Sequence, residues 1–198
     1  MKSNLWNSKA TAILILANIV IFAALNASPD LADIFLLNPD LIAERPWSLL
    51  TAFFSHELFI HILLNMLLLF IFGTRLENEA NEGLLLGAYV LCGLVGSLSS
   101  VAYAAVIGFQ GGPIAGASAS AFGVAAAFAA LKPDTVILKS KAAHWVAALF
   151  VVNALLTVQN PQVSVGGPAH AAGIVLGLAF GYALRRRQGT MGPKGQRS

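Results

Sequence analysis

The sequence predicts an all-α polytopic membrane protein, six transmembrane helices in one bundle with both termini cytoplasmic. Three observations predict it. Of the 198 residues, 57% are apolar and 11% charged, against about 25% charged in soluble domains. The apolar residues gather into six runs, each close to the roughly 20 residues that a bilayer-crossing helix needs. The basic residues segregate to one side of those runs. This composition excludes a disordered chain, a disulfide scaffold and an ordinary soluble enzyme. The formal charge of +3 is a small excess and gives no evidence of a nucleic-acid partner, so none is expected. Cys92 is the single cysteine and cannot close an intrachain disulfide.

The first run covers residues 10–26. Lys2 and Lys9 precede it and Asn26-Ala27-Ser28 follow it, in the manner of a secretory leader. A cut after Ala27 would put Leu25 where cleavage needs a small residue, so the run is read as a retained span. Residues 27–48 alternate apolar clusters with Asp30, Asp33, Asp40 and Glu44. They are too charged to cross and are expected to lie as an amphipathic segment in the outer interface. Trp47 is expected to anchor there. The second run is 58–74 and the third 84–107. Gly87, Gly93, Gly96 and Ser97 suit the third to close helix packing in lipid. The fourth is 114–131, the fifth 142–158 and the sixth 168–184. Residues 1–184 thus form one membrane domain. The basic stretch 185–198 reads as a stop-transfer anchor and then a disordered cytoplasmic tail.

Charge placement tests the span count. Six spans put both termini on one side. Lys2, Lys9, Arg75, Lys132, Lys139, Lys141, Arg185, Arg186, Arg187, Lys194 and Arg197 fall there, and only Arg45 falls on the other. The positive-inside rule makes the crowded side cytoplasmic.

Polar residues within the spans are costly and therefore informative. His61 and Asn65 are four apart, on one face of the second span. Ser118 follows Gly116-Ala117 in the fourth, and His170 opens the sixth. All three spans start on the outer side, so these groups share a depth of about one or two turns. A serine hydroxyl needs a base to become a nucleophile, and a neutral imidazole is such a base. The oxyanion of an acyl-transfer intermediate needs hydrogen-bond donors. His61, Asn65 and the Ser118 backbone N–H can supply them. Gly116 lets a neighbour approach closely. Gly173 and Gly177, on the His170 face, let the sixth span pack on the fourth. No carboxylate shares this depth except Glu57 at its edge, so the arrangement reads as a Ser118–His170 dyad. Phe122, one turn after Ser118, is placed to stack on the imidazole. No metal or cofactor is called for.

These motifs resemble the rhomboid intramembrane serine proteases of the six-helix core type. The resemblance rests on His56-x4-His61-x3-Asn65, Gly116-Ala-Ser118 and His170-x2-Gly173-x3-Gly177, and on their order and span assignments. It implies Ser118 as nucleophile, His170 as base, and His61, Asn65 and the Ser118 backbone as the oxyanion hole. It implies single-pass membrane proteins as substrates, cut in or near the outer leaflet. It also implies a prokaryotic plasma membrane as the setting. The chain departs from common members at Trp47-Ser48, where Trp-Arg is usual, at Ala119 for Gly, and at Phe122 for Tyr.

Other residues have plainer readings. Ser120 lies about 200° around the helix from Ser118 and is read as a packing residue. His56 is expected to be structural and at the interface. His144-Trp145 is expected to anchor the fifth span. Glu57, Arg75, Glu77, Glu79 and Glu82 are expected to be solvated boundary charges, with Arg75 and Glu79 able to pair at i,i+4. His56-Glu57 and His61 approach the H-E-x-x-H zinc motif, but the extra residue leaves the two rings some 140° apart on a helix. Two functions from different classes follow: an active intramembrane serine protease, or a silent relative that binds transmembrane segments for quality control or trafficking. The fifth span carries no catalytic candidate and is expected to be the mobile gate.

Overall fold

A computed structural model describes residues 8–190. Six apolar helices dominate it: α1 (Lys9–Ala27), α4 (Phe59–Glu79), α5 (Glu82–Ile107), α6 (Ser118–Leu131), α7 (Ala142–Gln159) and α8 (Gly167–Thr190). The one-turn helices α2 (Ala32–Phe35) and α3 (Ser48–Thr51) lie between α1 and α4. A hairpin of two-residue strands, β1 (Val136–Ile137) and β2 (Ser140–Lys141), joins α6 to α7. Among the described residues, five helices are long and apolar enough to cross a membrane. The remaining one, α6, has 14 residues. At about 1.5 Å per residue it is roughly 21 Å long, short of the roughly 30 Å hydrocarbon core.

The short helix is the centre of the bundle. Eleven of its residues are buried, mostly alanine, and its contacts with α8 are the most extensive in the protein, followed by those with α5 and α4. The lipid-facing sides of the outer helices are apolar instead, as at Ile13, Leu64, Leu91 and Val151. This inverts the soluble pattern because lipid, not water, is the outer solvent. Small residues occupy the interior because backbone proximity, not apolar area, is what holds helices together in lipid.

Polar contacts tie the outer helices to this centre. Glu77 is buried and its carboxylate accepts from the N–H groups of Ala10 and Thr11 at 3.0 and 2.8 Å and from the Thr11 hydroxyl at 2.6 Å. It caps the start of α1 from α4, satisfying first-turn donors that have no intrahelical partner. The boundary-charge expectation is therefore wrong for Glu77. Glu79 pairs with Lys132 at 2.9 Å rather than with Arg75, whose guanidinium reaches the Ile71 carbonyl. Gln188 donates to the Glu79 carbonyl. The start of α1 and the ends of α4, α6 and α8 thus share one end of the bundle. Midway along α1, Asn18 donates to the Tyr89 hydroxyl at 3.0 Å, and Tyr89 donates to the Phe53 carbonyl at 2.9 Å.

Two expectations need correction. Residues 27–48 do not lie as one amphipathic segment. They fold into short turns, because Pro29 and Pro39 each open a 3-10 turn and the Asn38 side chain caps the second. Leu36 and Leu37 are buried. Arg45 binds Asp33 at 2.9 Å, and Trp47, though half exposed, donates to the Ile34 carbonyl. The tail does not begin at Arg185 either: α8 continues to Thr190, where Arg186 lies over the Tyr182 ring. Residues 191–198 lie outside the described residues. On the hairpin, Lys141 binds Asp134 at 2.7 Å and holds its exposed carboxyl below the usual carboxylate range.

Glu77→Ala leaves buried N–H donors unsatisfied and is expected to cost about 1–3 kcal/mol. Thermal unfolding in detergent micelles should show a lowered midpoint; an unchanged one would mean the cap contributes nothing.

Candidate active site

The site is built where α6 starts. Residues 109–117 cannot continue as helix: Gly111, Gly112 and Pro113 interrupt the run, and Gly116 has φ +141°, open only to glycine without strain. The segment is instead extended. Leu37 and Ile114 exchange backbone hydrogen bonds of 3.0 and 2.7 Å, and the Gly116 N–H donates to the Ala52 carbonyl. The fourth span therefore begins as helix only at Ser118, four residues later than expected. Ser118 is the first helical residue, where N–H groups lack intrahelical partners and the helix dipole is positive.

His170 is brought to Ser118 by glycine. A methyl group added at Gly173, Gly177 or Gly181 would collide with the carbonyl oxygen of Ala119, Gly123 or Ala127 respectively. The two helix backbones touch along that line. Gly181 extends the expected pair by one further repeat, and the sequence carries the signal at the same spacing of four. With the helices this close, His170 Nε2 lies 2.6 Å from Ser118 Oγ. The Phe122 ring sits 4.7 Å from the imidazole, centroid to centroid, at 38°. Both dyad residues are half-buried.

The proton on His170 can be placed from its neighbours. Asn153 Nδ2 donates to the Gly167 carbonyl at 2.9 Å. Its Oδ1 therefore faces His170 Nδ1, at 2.7 Å. A carbonyl oxygen only accepts, so Nδ1 carries the proton and Nε2 is left to accept from Ser118. Asn153 lies on α7, the span in which the sequence offers no catalytic candidate. The sequence signal for it is a side-chain amide in the middle of an apolar run.

The expected donor residues surround the same turn. The His61 ring packs against Gly116, where any Cβ would strike it. Asn65 is buried, with Nδ2 3.2 Å from His56 Nε2. That same Nε2 accepts the Ala117 N–H at 3.2 Å, so Asn65 must donate, and its second amide hydrogen stays uncommitted by this contact. His56 is fully buried, not interfacial. It pins the residue before Ser118, and its ring meets that of His61 at 5.1 Å. Ser120 is buried beside Gly93 and Phe53, away from the dyad.

Ser118, His170, His61, Gly116 and Asn153 face a cavity of about 750 Å³, which also reaches exposed Glu57 and the 109–116 segment. Asn65 stands behind this wall. The cavity lies at the start of α6, where Ser118, Ala119 and Phe122 line it. Its wall carries a serine hydroxyl, an imidazole nitrogen placed to accept the hydroxyl hydrogen, and open space beside both.

Fold and site together define a polytopic membrane protein with a serine–histidine pair at the end of a buried central helix. Residues 43–187 match the Rhomboid domain family, and the chain belongs to that family. It is 30% identical over 172 residues to RHOMBOID-like protein 5 of Arabidopsis thaliana, covering 84% of this chain and 54% of that protein. It is 29% identical over 159 residues to Rhomboid protein 1, mitochondrial, of Saccharomyces cerevisiae, covering 76% and 45%. The chain thus spans about half the length of the curated relatives it matches. A mitochondrial relative gives no support to the expected prokaryotic plasma membrane; a multi-pass membrane protein is what the comparisons support.

Gly177→Ala is expected to separate α6 from α8 and destabilise the protein by about 1–3 kcal/mol. Gly87→Ala, whose added methyl meets nothing within 4 Å, should not lower the unfolding midpoint. Equal effects of the two would refute the close approach as the stabilising feature.

Proposed function

We propose that the protein is an intramembrane serine endopeptidase that cleaves single-pass transmembrane proteins. The observation that carries this reading is the 2.6 Å approach of His170 Nε2 to Ser118 Oγ on the wall of a cavity. His170 takes the Ser118 proton as the hydroxyl attacks the scissile carbonyl. The imidazolium then returns a proton to the leaving amine, and water repeats the cycle on the acyl-enzyme. The Ser118 N–H at the helix start and His61 on the cavity wall are the oxyanion donors in this reading, and Asn65, behind that wall, reaches the oxyanion only if its amide turns toward the cavity. The bilayer is the second partner. The eleven basic residues on one side favour cytoplasmic termini, with the cavity opening to the opposite face and cleavage near the outer leaflet.

Wild type and Ser118→Ala, each reconstituted in vesicles with a generic single-pass substrate, test this. Wild type should cleave and label with a fluorophosphonate, and the variant should do neither. Folded wild type that neither cleaves nor labels would replace the protease by the silent segment-binding relative.

The base must be neutral to accept a proton. Cleavage should therefore fall toward acid pH as His170 becomes imidazolium. A rate that rises steadily from neutral into acid pH would exclude His170 as the base.

A further inference from the structure

His170 has two nitrogens, and the Ser118 hydroxyl engages only one. In a Ser–His–Asp triad the second is held by a carboxylate, which sets the tautomer and aims the ring. Here the acidic side chain among those lining the cavity, Glu57, is exposed, and Asn153 Oδ1 occupies the second nitrogen at 2.7 Å. Asn153 comes from the least buried of the five long apolar helices. Only Ala142 and Val146 of α7 are fully buried, both at its far end from the dyad. Near the dyad, α7 meets α8 through the Asn153 amide and through Thr157, which fills the space beside Gly167.

We infer that Asn153 is a positioning residue that aims His170 at Ser118, so that the base is set only while α7 is docked against α8. The inference rests on the proteolytic reading above. Three constraints argue for it. An amide oxygen can only accept, so it selects the Nδ1–H tautomer. A neutral orienting group avoids placing a buried carboxylate at membrane depth, which would be costly. Phe122 supports one face of the ring but cannot choose between its nitrogens. Asn153 also binds the carbonyl of Gly167, three residues before His170, so one side chain fixes both the ring and the helix end that carries it. If α7 moves outward to admit substrate, Asn153 is withdrawn and the base loses its aim until the helix returns.

The two hydrogen bonds of Asn153 can be separated. Asn153→Ala loses both. Asn153→Asp keeps the acceptor for His170 Nδ1–H and loses the donor to Gly167. With a single-pass substrate in vesicles, Asn153→Ala should lower kcat by about 10–10²-fold, the scale of a small misplacement of a reacting group, with KM little changed. Asn153→Asp should retain most of the rate. The 15N spectrum of His170 should report the Nδ1–H tautomer in wild type and lose that preference in Asn153→Ala. Equal kcat losses in both variants would overturn the inference, since the Gly167 bond alone would then matter. So would an Asn153→Ala variant within twofold of wild type. An Nδ1–H tautomer in a wild type that neither cleaves nor labels would instead sink the proteolytic reading and leave the positioning of His170 standing.

Discussion

The backbone contact between α6 and α8 is the constraint on which the rest depends. Gly173, Gly177 and Gly181 lie against the carbonyls of Ala119, Gly123 and Ala127, so no side chain keeps the helices apart. Lipid offers no hydrophobic gain for pressing two apolar helices together, and close packing has to supply the attraction. The same contact brings a histidine on one helix within hydrogen-bonding distance of a serine on the other. Stability and chemistry therefore share one line of residues.

A second constraint sets the depth of the site. The positive φ of Gly116 and the bridge between Leu37 and Ile114 keep the approach to Ser118 extended. The chain thereby descends into the bundle before it becomes helical. Irregular backbone at membrane depth is tolerated only where it is buried in protein or lines a cavity. Both conditions hold here: Ala52 and His56 accept N–H groups of this segment, and its other side forms the cavity wall. The turns of residues 29–41 and the buried Leu37 are the scaffold for that descent, which is why a loop rich in acidic residues is folded down onto the bundle.

Much of this was legible from residue order alone. The six apolar runs, the small-residue faces and the polar residues at matched depth all follow from the high cost of polarity in lipid, which makes each exception conspicuous. Ser118, His170 and Phe122 lie together, and His61 and Gly116 adjoin them. Other features turn on geometry that spacing does not reveal. Glu77 looks like its neighbours Arg75 and Glu79; only the docking of α1 makes it a cap. Asn153 is seventeen residues from His170 and becomes its partner through the crossing of two helices. The start of α6 is not legible because Ile114 and Ala115 are apolar, and composition cannot say that Ile114 bridges to Leu37. The β1–β2 hairpin turns at Leu138 and Lys139 with positive φ, at residues that carry none of the usual Asn-Gly signal.

The order of the helices along the chain has a consequence for synthesis. Ser118 precedes His170 by 52 residues, and the helix that carries His170 is the final element described. As the chain emerges, α6 is made before the glycine face that completes its packing. Its fourteen residues, largely alanine, are too short to sit comfortably in lipid alone, so it must shelter against α4 and α5 until α8 arrives. The serine and histidine can meet only when that final helix has been inserted. Assembly of the bundle and formation of the serine–histidine pair are therefore one event.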